Sequence, residues 1–164
     1  MLDCYLNVKG REKDWNWVVK QNIKFNSKLT NISDQTSLLA LQGPKANEVL
    51  QKLIDFDLSQ LKSYSFVKSD IKGIKEVIIS TTGYTGSGGV ELYINNVDAI
   101  KLYNLLIETG NYLDIKPIGL AARDTLRLEM GYCLYGNDIN DTTNPIEAGL
   151  KWATKTNKDF IGKT

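Results

Sequence analysis

Apolar positions recur along this chain at two spacings, and each switch between them marks a predicted element. Residues 5–8 read as the end of a strand. Residues 12–24 carry Trp15, Val18, Val19 and Ile23 at helical spacing. The stretch 25–35 is polar, with Asn26, Ser27, Thr30, Asn31, Ser33 and Asp34, and is the best candidate boundary. Residues 37–42, SLLALQ, hold enough apolar side chains for a strand buried on both faces. Gly43 and Pro44 break it, and Pro suits the first turn of the helix that follows. That helix shows Ala46, Val49, Leu50, Leu53 and Ile54 in one stripe. Residues 64–71 and 76–82 read as two strands around Lys72-Gly73, a hairpin signal. GYTGSGG, residues 83–89, is a loop with four glycines. In VELYI, Val90, Leu92 and Ile94 fall on one face and Glu91 and Tyr93 on the other.

Further along, residues 98–109 predict a helix with Leu102, Leu105 and Leu106 inward and Gly110 as its stop. Residues 118–130 predict another, with Arg123 and Arg127 four apart on one face. Asn144-Pro145 with Glu147 supplies an N-cap, a first-position Pro and an acid at the third position, a helix start. From 37 to 130 the order is β-α-β-β-β-α and then α. It predicts an α+β fold, a ferredoxin-like antiparallel sheet with packed helices, extended by one hairpin strand and one helix. Hairpins are expected to give antiparallel pairs and the helical crossovers parallel ones. Three segments follow: 1–33, a remnant strand and helix of a preceding subdomain; 34–131, the α+β core; and 132–164, a return segment and terminal helix.

Composition narrows the chemistry. Hydrophobic residues make up 42% and charged ones 24%, enough for a core and against disorder. The longest apolar run, residues 38–41, falls far short of the roughly 20 residues of a membrane span. No apolar secretory segment opens the chain. A net charge of +1 gives no reason to expect nucleic acid or an anionic membrane as partner. There is no histidine, which removes Ser-His-Asp and Cys-His catalysis, histidine zinc sites and any histidine base. Cys4 and Cys133 have no metal spacing, so no metal site is expected. Spacing leaves a disulfide open, and two reduced, packed thiols are the expectation.

The glycine loop lacks the Lys-Ser/Thr and the following helix of a phosphate cradle, so it reads as a mobile connection or as a place where backbone approaches a flat ligand. Pattern alone makes Glu91 a solvated strand carboxylate. Its alternative is an acceptor for a fork of two N–H groups. Arginine is scarce, and two of the three share one helix face. They read either as a surface laced by ion pairs with Asp124 and Glu129 or as planar, partly buried contacts. Tyr84, Tyr93, Tyr132 and Tyr135 fit core and rim positions, or the flanks of an aromatic ligand.

Taken in order, LLALQGPKA, TTGYTGSGGVELYI, GLAARDTLRLEMGYCLYGNDI, TNPIEAGLKWATK and NKDFIGK resemble the glycine cleavage system T-protein family, the aminomethyltransferases. YLNV with REKDW resembles that family's YLxVVNAxNxxKD stretch. The resemblance runs over essentially the whole chain. Family members are more than twice as long, so it implies an internal piece, all three segments lying within one incomplete folate-binding domain. It implies transfer of an aminomethyl group from the lipoylated H-protein to tetrahydrofolate as co-substrate, giving 5,10-methylenetetrahydrofolate and ammonia. Glu91 then matches the carboxylate that binds the pterin's amino edge. Arg123, Tyr84 and Tyr132 match further folate-contacting positions. Asn7 does so loosely, because the chain reads Asn7-Val8-Lys9-Gly10 where the family reads VNAxN. The family's catalytic aspartate lies upstream of the YLxV strand and its C-terminal barrel is missing, so the resemblance places no catalytic residue here and implies that this chain alone is inactive. A non-catalytic folate-binding module of the same fold is the alternative. The expected compartment is the bacterial cytoplasm, or the mitochondrial matrix in a eukaryote. KDFIGK, residues 158–163, stands where a related iron–sulfur maintenance group carries a KGCYxGQ-type motif.

Overall fold

A computed structural model describes residues 2–4, 8–25 and 27–163 of the chain. Its strands are β1 (Leu2–Cys4), β2 (Thr36–Gln42), β3 (Phe66–Ile71), β4 (Ile74–Ser80) and β5 (Gly89–Asn95). Its helices are α1 (Val8–Asn22), α2 (Ala46–Gln51), α3 (Ala99–Gly110) and α4 (Leu120–Glu129). The strands form one sheet in the order β1-β2-β5-β4-β3. The α+β antiparallel sheet expected from the pattern is therefore present.

Every neighbouring pair is antiparallel, and the expected parallel pairs do not form. The crossover through α2 carries the chain from β2 to β3 at the far edge of the sheet, so it creates no neighbouring pair. The helix after β5 leads to α4 rather than to another strand. β2 pairs with β5 over its full length, from Thr36 opposite Asn95 to Gln42 opposite Gly89.

One face of the sheet makes the core. Leu39 and Leu41 of β2, Val77 and Ile79 of β4, and Val90, Leu92 and Ile94 of β5 are buried there against α2 and α3. Alternation puts them on one side, and the hydrophobic effect makes each such side chain worth roughly 1.5–3 kcal/mol when fully buried. α2 contributes Ala46, Val49 and Leu50, and α3 contributes Leu102 and Leu106. α2 is shorter than its apolar stripe: Leu53 and Ile54 lie past its end yet are buried in the same cluster. On the opposite face Leu38, Ala40, Ile78, Ser80, Glu91 and Tyr93 are only half-buried, so β2 is not closed off on both sides. Register sets Ala40, Glu91 and Ser80 side by side, with Leu38, Tyr93 and Ile78 as the next row.

Lys72 (φ 44°) and Gly73 (φ 85°) join β3 to β4, as the hairpin signal implies. Two other signals resolve differently. Gly110 ends α3 in ordinary helical geometry, and the left-handed residue is Asp114 (φ 60°). Gly110 serves close packing instead, since a Cβ there would sit 3.0 Å from the Ile115 side chain. At Asn144 the capping box forms: Asn144 Oδ1 accepts from the N–H groups of Ile146 and Glu147, and Glu147 Oε2 accepts from Asn144 N–H. Successive turns follow it rather than a helix, because Gly149 enters the left-handed region (φ 76°) two residues later.

α1 begins earlier than its apolar spacing suggests. Of the strand end expected over residues 5–8, Val8 alone is described, and it already belongs to α1; residues 5–7 lie outside the described residues. Trp17, Val18, Val19 and Ile23 are exposed. Arg11 ties the helix to Asp34 at 2.6 Å, and Lys13 Nζ donates to the Tyr135 hydroxyl at 2.6 Å and to Asp141. Among the described residues no helix is long and apolar enough to cross a membrane.

Candidate functional site

β4 delivers Thr82 to the edge of the half-buried face, and β5 returns beside it carrying Glu91. Between them run residues 83–88. Gln42, at the end of β2, holds this loop. Its Nε2 donates to the Val90 carbonyl at 3.0 Å and the Thr82 carbonyl at 3.3 Å, and its Oε1 accepts from the Thr85 hydroxyl at 3.1 Å. Gly89 lets the strand re-enter the sheet: its φ is +118°, and a Cβ would lie 2.3 Å from the Leu41 carbonyl oxygen. Any other residue would have to displace backbone there.

The loop presents Tyr84 to the end of α4. α4 stops in a Schellman arrangement: Gly131 (φ +70°) donates to the Leu128 carbonyl at 2.9 Å and Tyr132 N–H to the Arg127 carbonyl at 2.9 Å. The turn brings Tyr132 back over the loop, where it stacks on Tyr84 with ring centroids 5.9 Å apart and planes at 28°. The Arg123 guanidinium lies 4.6 Å from the Tyr84 ring centroid, a cation–π contact. The Tyr84 hydroxyl donates to the Cys133 carbonyl. Burial pushes the Tyr84 phenol up, against the lowering pull of Arg127 and Arg123. Cys133 itself is a free, half-buried thiol.

Glu91 is held by hydroxyls. Thr82 Oγ1 donates to its Oε2, and the Tyr93 hydroxyl reaches the same oxygen at 3.4 Å. Oε1 takes part in neither bond. Burial, then the Glu91 charge, pushes the Tyr93 phenol up and keeps it a donor. A cavity of about 240 Å³ opens beside these groups, walled by Gln42, Tyr64, Thr82, Gly83, Gly86 and Tyr132. Thr82 is thus both a wall of the cavity and the donor to Glu91.

Of the residues singled out from sequence, the fold brings Tyr84, Tyr132 and Arg123 into one cluster. It sets Glu91 on the adjoining strand, one hydrogen bond from the cavity wall. Tyr135 is engaged elsewhere, with Lys13 and Asp141. Asn7 lies outside the described residues. Gln42, Thr82 and Thr85 were not singled out as site residues, although Gln42 ends the apolar run LLALQ, a polar side chain where a core strand meets a glycine. Among the described residues no group of three or more His, Cys, Asp or Glu is placed to hold a metal.

The family model described as the GCVT N-terminal domain matches residues 4–158. The chain belongs to that family. Its relatives include the aminomethyltransferase of Flavobacterium psychrophilum, 56% identical over 94% of this chain and 43% of that protein. The aminomethyltransferase of Bacteroides fragilis is 54% identical over 97% of this chain and 44% of that protein. The crystal structure of the glycine cleavage system aminomethyltransferase T from Bartonella henselae superposes with a TM-score of 0.79 at 33% identity, covering 92% of this chain and 39% of that one. This GCVT domain chain therefore spans less than half the length of the curated relatives it matches.

Proposed function

We propose that this chain is the folate-holding part of a glycine cleavage aminomethyltransferase. The full-length protein would move the aminomethyl carbon from the lipoyl arm of the H-protein onto tetrahydrofolate, releasing ammonia and giving 5,10-methylenetetrahydrofolate. One observation carries the reading: an aromatic pair capped by a guanidinium stands at a glycine loop, beside a strand carboxylate with one oxygen outside its internal bonds.

In this reading Glu91 accepts the two parallel N–H groups that a 2-aminopyrimidinone edge presents. Thr82 and Tyr93 fix the carboxylate's orientation through its Oε2. Tyr84 and Tyr132 flank the ring system, and Arg123 holds Tyr84 in place and adds positive charge. The residues are of the right kinds for a flat heterocycle with donor groups on one edge: stacking surface, acceptor and close backbone. Asn7 is carried as a further contact by the resemblance alone. The partners are the lipoylated H-protein and tetrahydrofolate, with no nucleic acid or membrane, in the cytoplasm of a bacterium.

The test uses the full-length protein with aminomethyl-loaded H-protein and tetrahydrofolate. Ammonia release that needs both is expected, and residues 1–164 alone should give none above background. Folate binding without turnover in the full-length protein would point to the non-catalytic module instead. Absence of folate binding would overturn both.

A further inference from the structure

Arg127 is buried, with 4% of its surface exposed, and it meets both polar backbone groups of one neighbour. Its Nη1 donates to the Tyr132 carbonyl at 3.0 Å, while its own backbone carbonyl accepts the Tyr132 N–H at 2.9 Å. Both polar backbone groups of Tyr132 therefore end on one residue. Nη1 also donates to Asp138 Oδ2, and Nε donates to Asp124 Oδ1 at 2.7 Å. The next two residues are pinned as well: the Cys133 carbonyl by the Tyr84 hydroxyl, and the Leu134 N–H by Asp138 Oδ2 at 2.9 Å.

An arginine needed only to steady α4 would be satisfied by Asp124, three residues back on the same helix. Burying a guanidinium is costly unless its donors are all met. Here Nη1 goes to the Tyr132 carbonyl, in the segment that places an aromatic ring, and to the Asp138 carboxylate that holds the same segment through Leu134 N–H. The fixed, planar fork suits this use, since it serves helix, turn and carboxylate in set directions at once.

We propose that Arg127, acting with Asp138, is a positioning residue of the folate site: it fixes the backbone of Tyr132 so that the ring stays stacked on Tyr84 along the glycine-loop cavity. This rests on the reading of Tyr84 and Tyr132 as the aromatic wall of that site. Arg127 does not touch the ligand; it acts through Tyr132.

The experiment measures tetrahydrofolate affinity and thermal midpoint in the full-length protein for Asp138→Asn, Tyr132→Ala and the double variant, with Arg127→Lys alongside. Asp138 is exposed enough (40%) that its replacement does not threaten folding as a change at buried Arg127 could. Asp138→Asn is expected to weaken binding by about two- to tenfold, the worth of an aromatic contact. In the Tyr132→Ala background the same change should cost no further affinity, because the ring it positions is gone. Equal losses in both backgrounds would overturn the proposal and leave Asp138 and Arg127 as structural residues. So would unchanged affinity in Asp138→Asn when Tyr132→Ala weakens binding. Unchanged affinity in Tyr132→Ala would remove the aromatic wall itself, and the proposal with it.

Discussion

The Thr85 hydroxyl donates to Gln42 Oε1 at 3.1 Å, and both side chains are 5% exposed. That bond joins the end of β2 to the middle of the glycine loop. It makes residues 83–88 a fastened hairpin connection rather than the mobile one their glycine content suggests. The same amide serves the Thr82 and Val90 carbonyls on either side of the loop, so one side chain registers both strands that deliver the site.

Replacing Gln42 by Met keeps volume but removes the amide donor that serves the Thr82 and Val90 carbonyls and the acceptor of the Thr85 hydroxyl, which keeps only the Ser87 N–H. The expected loss of stability is about 1–3 kcal/mol, the range for stranding a buried polar group. Tetrahydrofolate affinity should fall as well, because the loop carries Tyr84. Denaturant titration beside folate binding checks both, and a variant as stable as wild type would contradict the clamp.

Strand alternation made Glu91 legible as the outward residue of β5, and its position opposite Ala40 and Ser80 follows from that period. The Arg123–Arg127 face was legible from helical spacing, but their division of labour was not. Arg127 is buried where the Tyr132 carbonyl and Asp138, on a return segment with no periodicity, come back to meet it. Gln42 was obscured for a related reason: a polar residue beside Gly43 reads as the start of a loop, and its partners at Thr85 and Val90 are distant in sequence. Parallel pairing was expected because a crossover helix usually joins neighbouring strands. Nothing in the spacing of 52–66 tells that β3 lands at the far edge. The capping box at Asn144 was read correctly from its residues, since capping is local. Whether a helix propagates beyond it depends on tertiary contacts.

α1 should exchange its amide protons ahead of β5. Its apolar residues Trp17, Val18 and Val19 are exposed, and the ion pairs Arg11–Asp34 and Lys13–Asp141 that tie it to the rest of the chain lie at the surface, where they contribute little. Exchange in residues 1–164 should protect Val90, Leu92 and Ile94 most strongly. Protection of α1 equal to that of β5 would overturn the division at residue 33.

Acid should act on the Tyr132 segment through Asp138. The Leu134 N–H, and after it Arg127, hold this carboxyl below the ordinary carboxylate range. A lowered folded-state pKa means stability that is present above the unfolded value, about 3.9, and is lost as pH falls through the folded one. The gap in thermal midpoint between wild type and Asp138→Asn should thus be full at pH 7 and pH 5 and should shrink at pH 3 and below. A gap that widens on acidification would contradict the assignment.

Glu91→Gln separates the binding role from the structural one. The change keeps the side chain's shape and leaves an oxygen that can still accept from Thr82 and Tyr93. It replaces the other oxygen with an amide that faces a ligand N–H donor to donor. The core face of β5 is untouched, because Val90, Leu92 and Ile94 point the other way. Folding should therefore be unchanged, within a degree or two of thermal midpoint. Hydrogen bonds to a charged acceptor contribute about 1.5–3 kcal/mol each. Losing the fork should weaken tetrahydrofolate binding by roughly ten- to several-hundred-fold, at about 1.4 kcal/mol per factor of ten. A solvated strand carboxylate with no ligand role predicts neither loss. Thermal midpoint and dissociation constant, measured side by side in the full-length protein, decide between them: lowered affinity at constant stability supports the site, and unchanged affinity removes Glu91 from it.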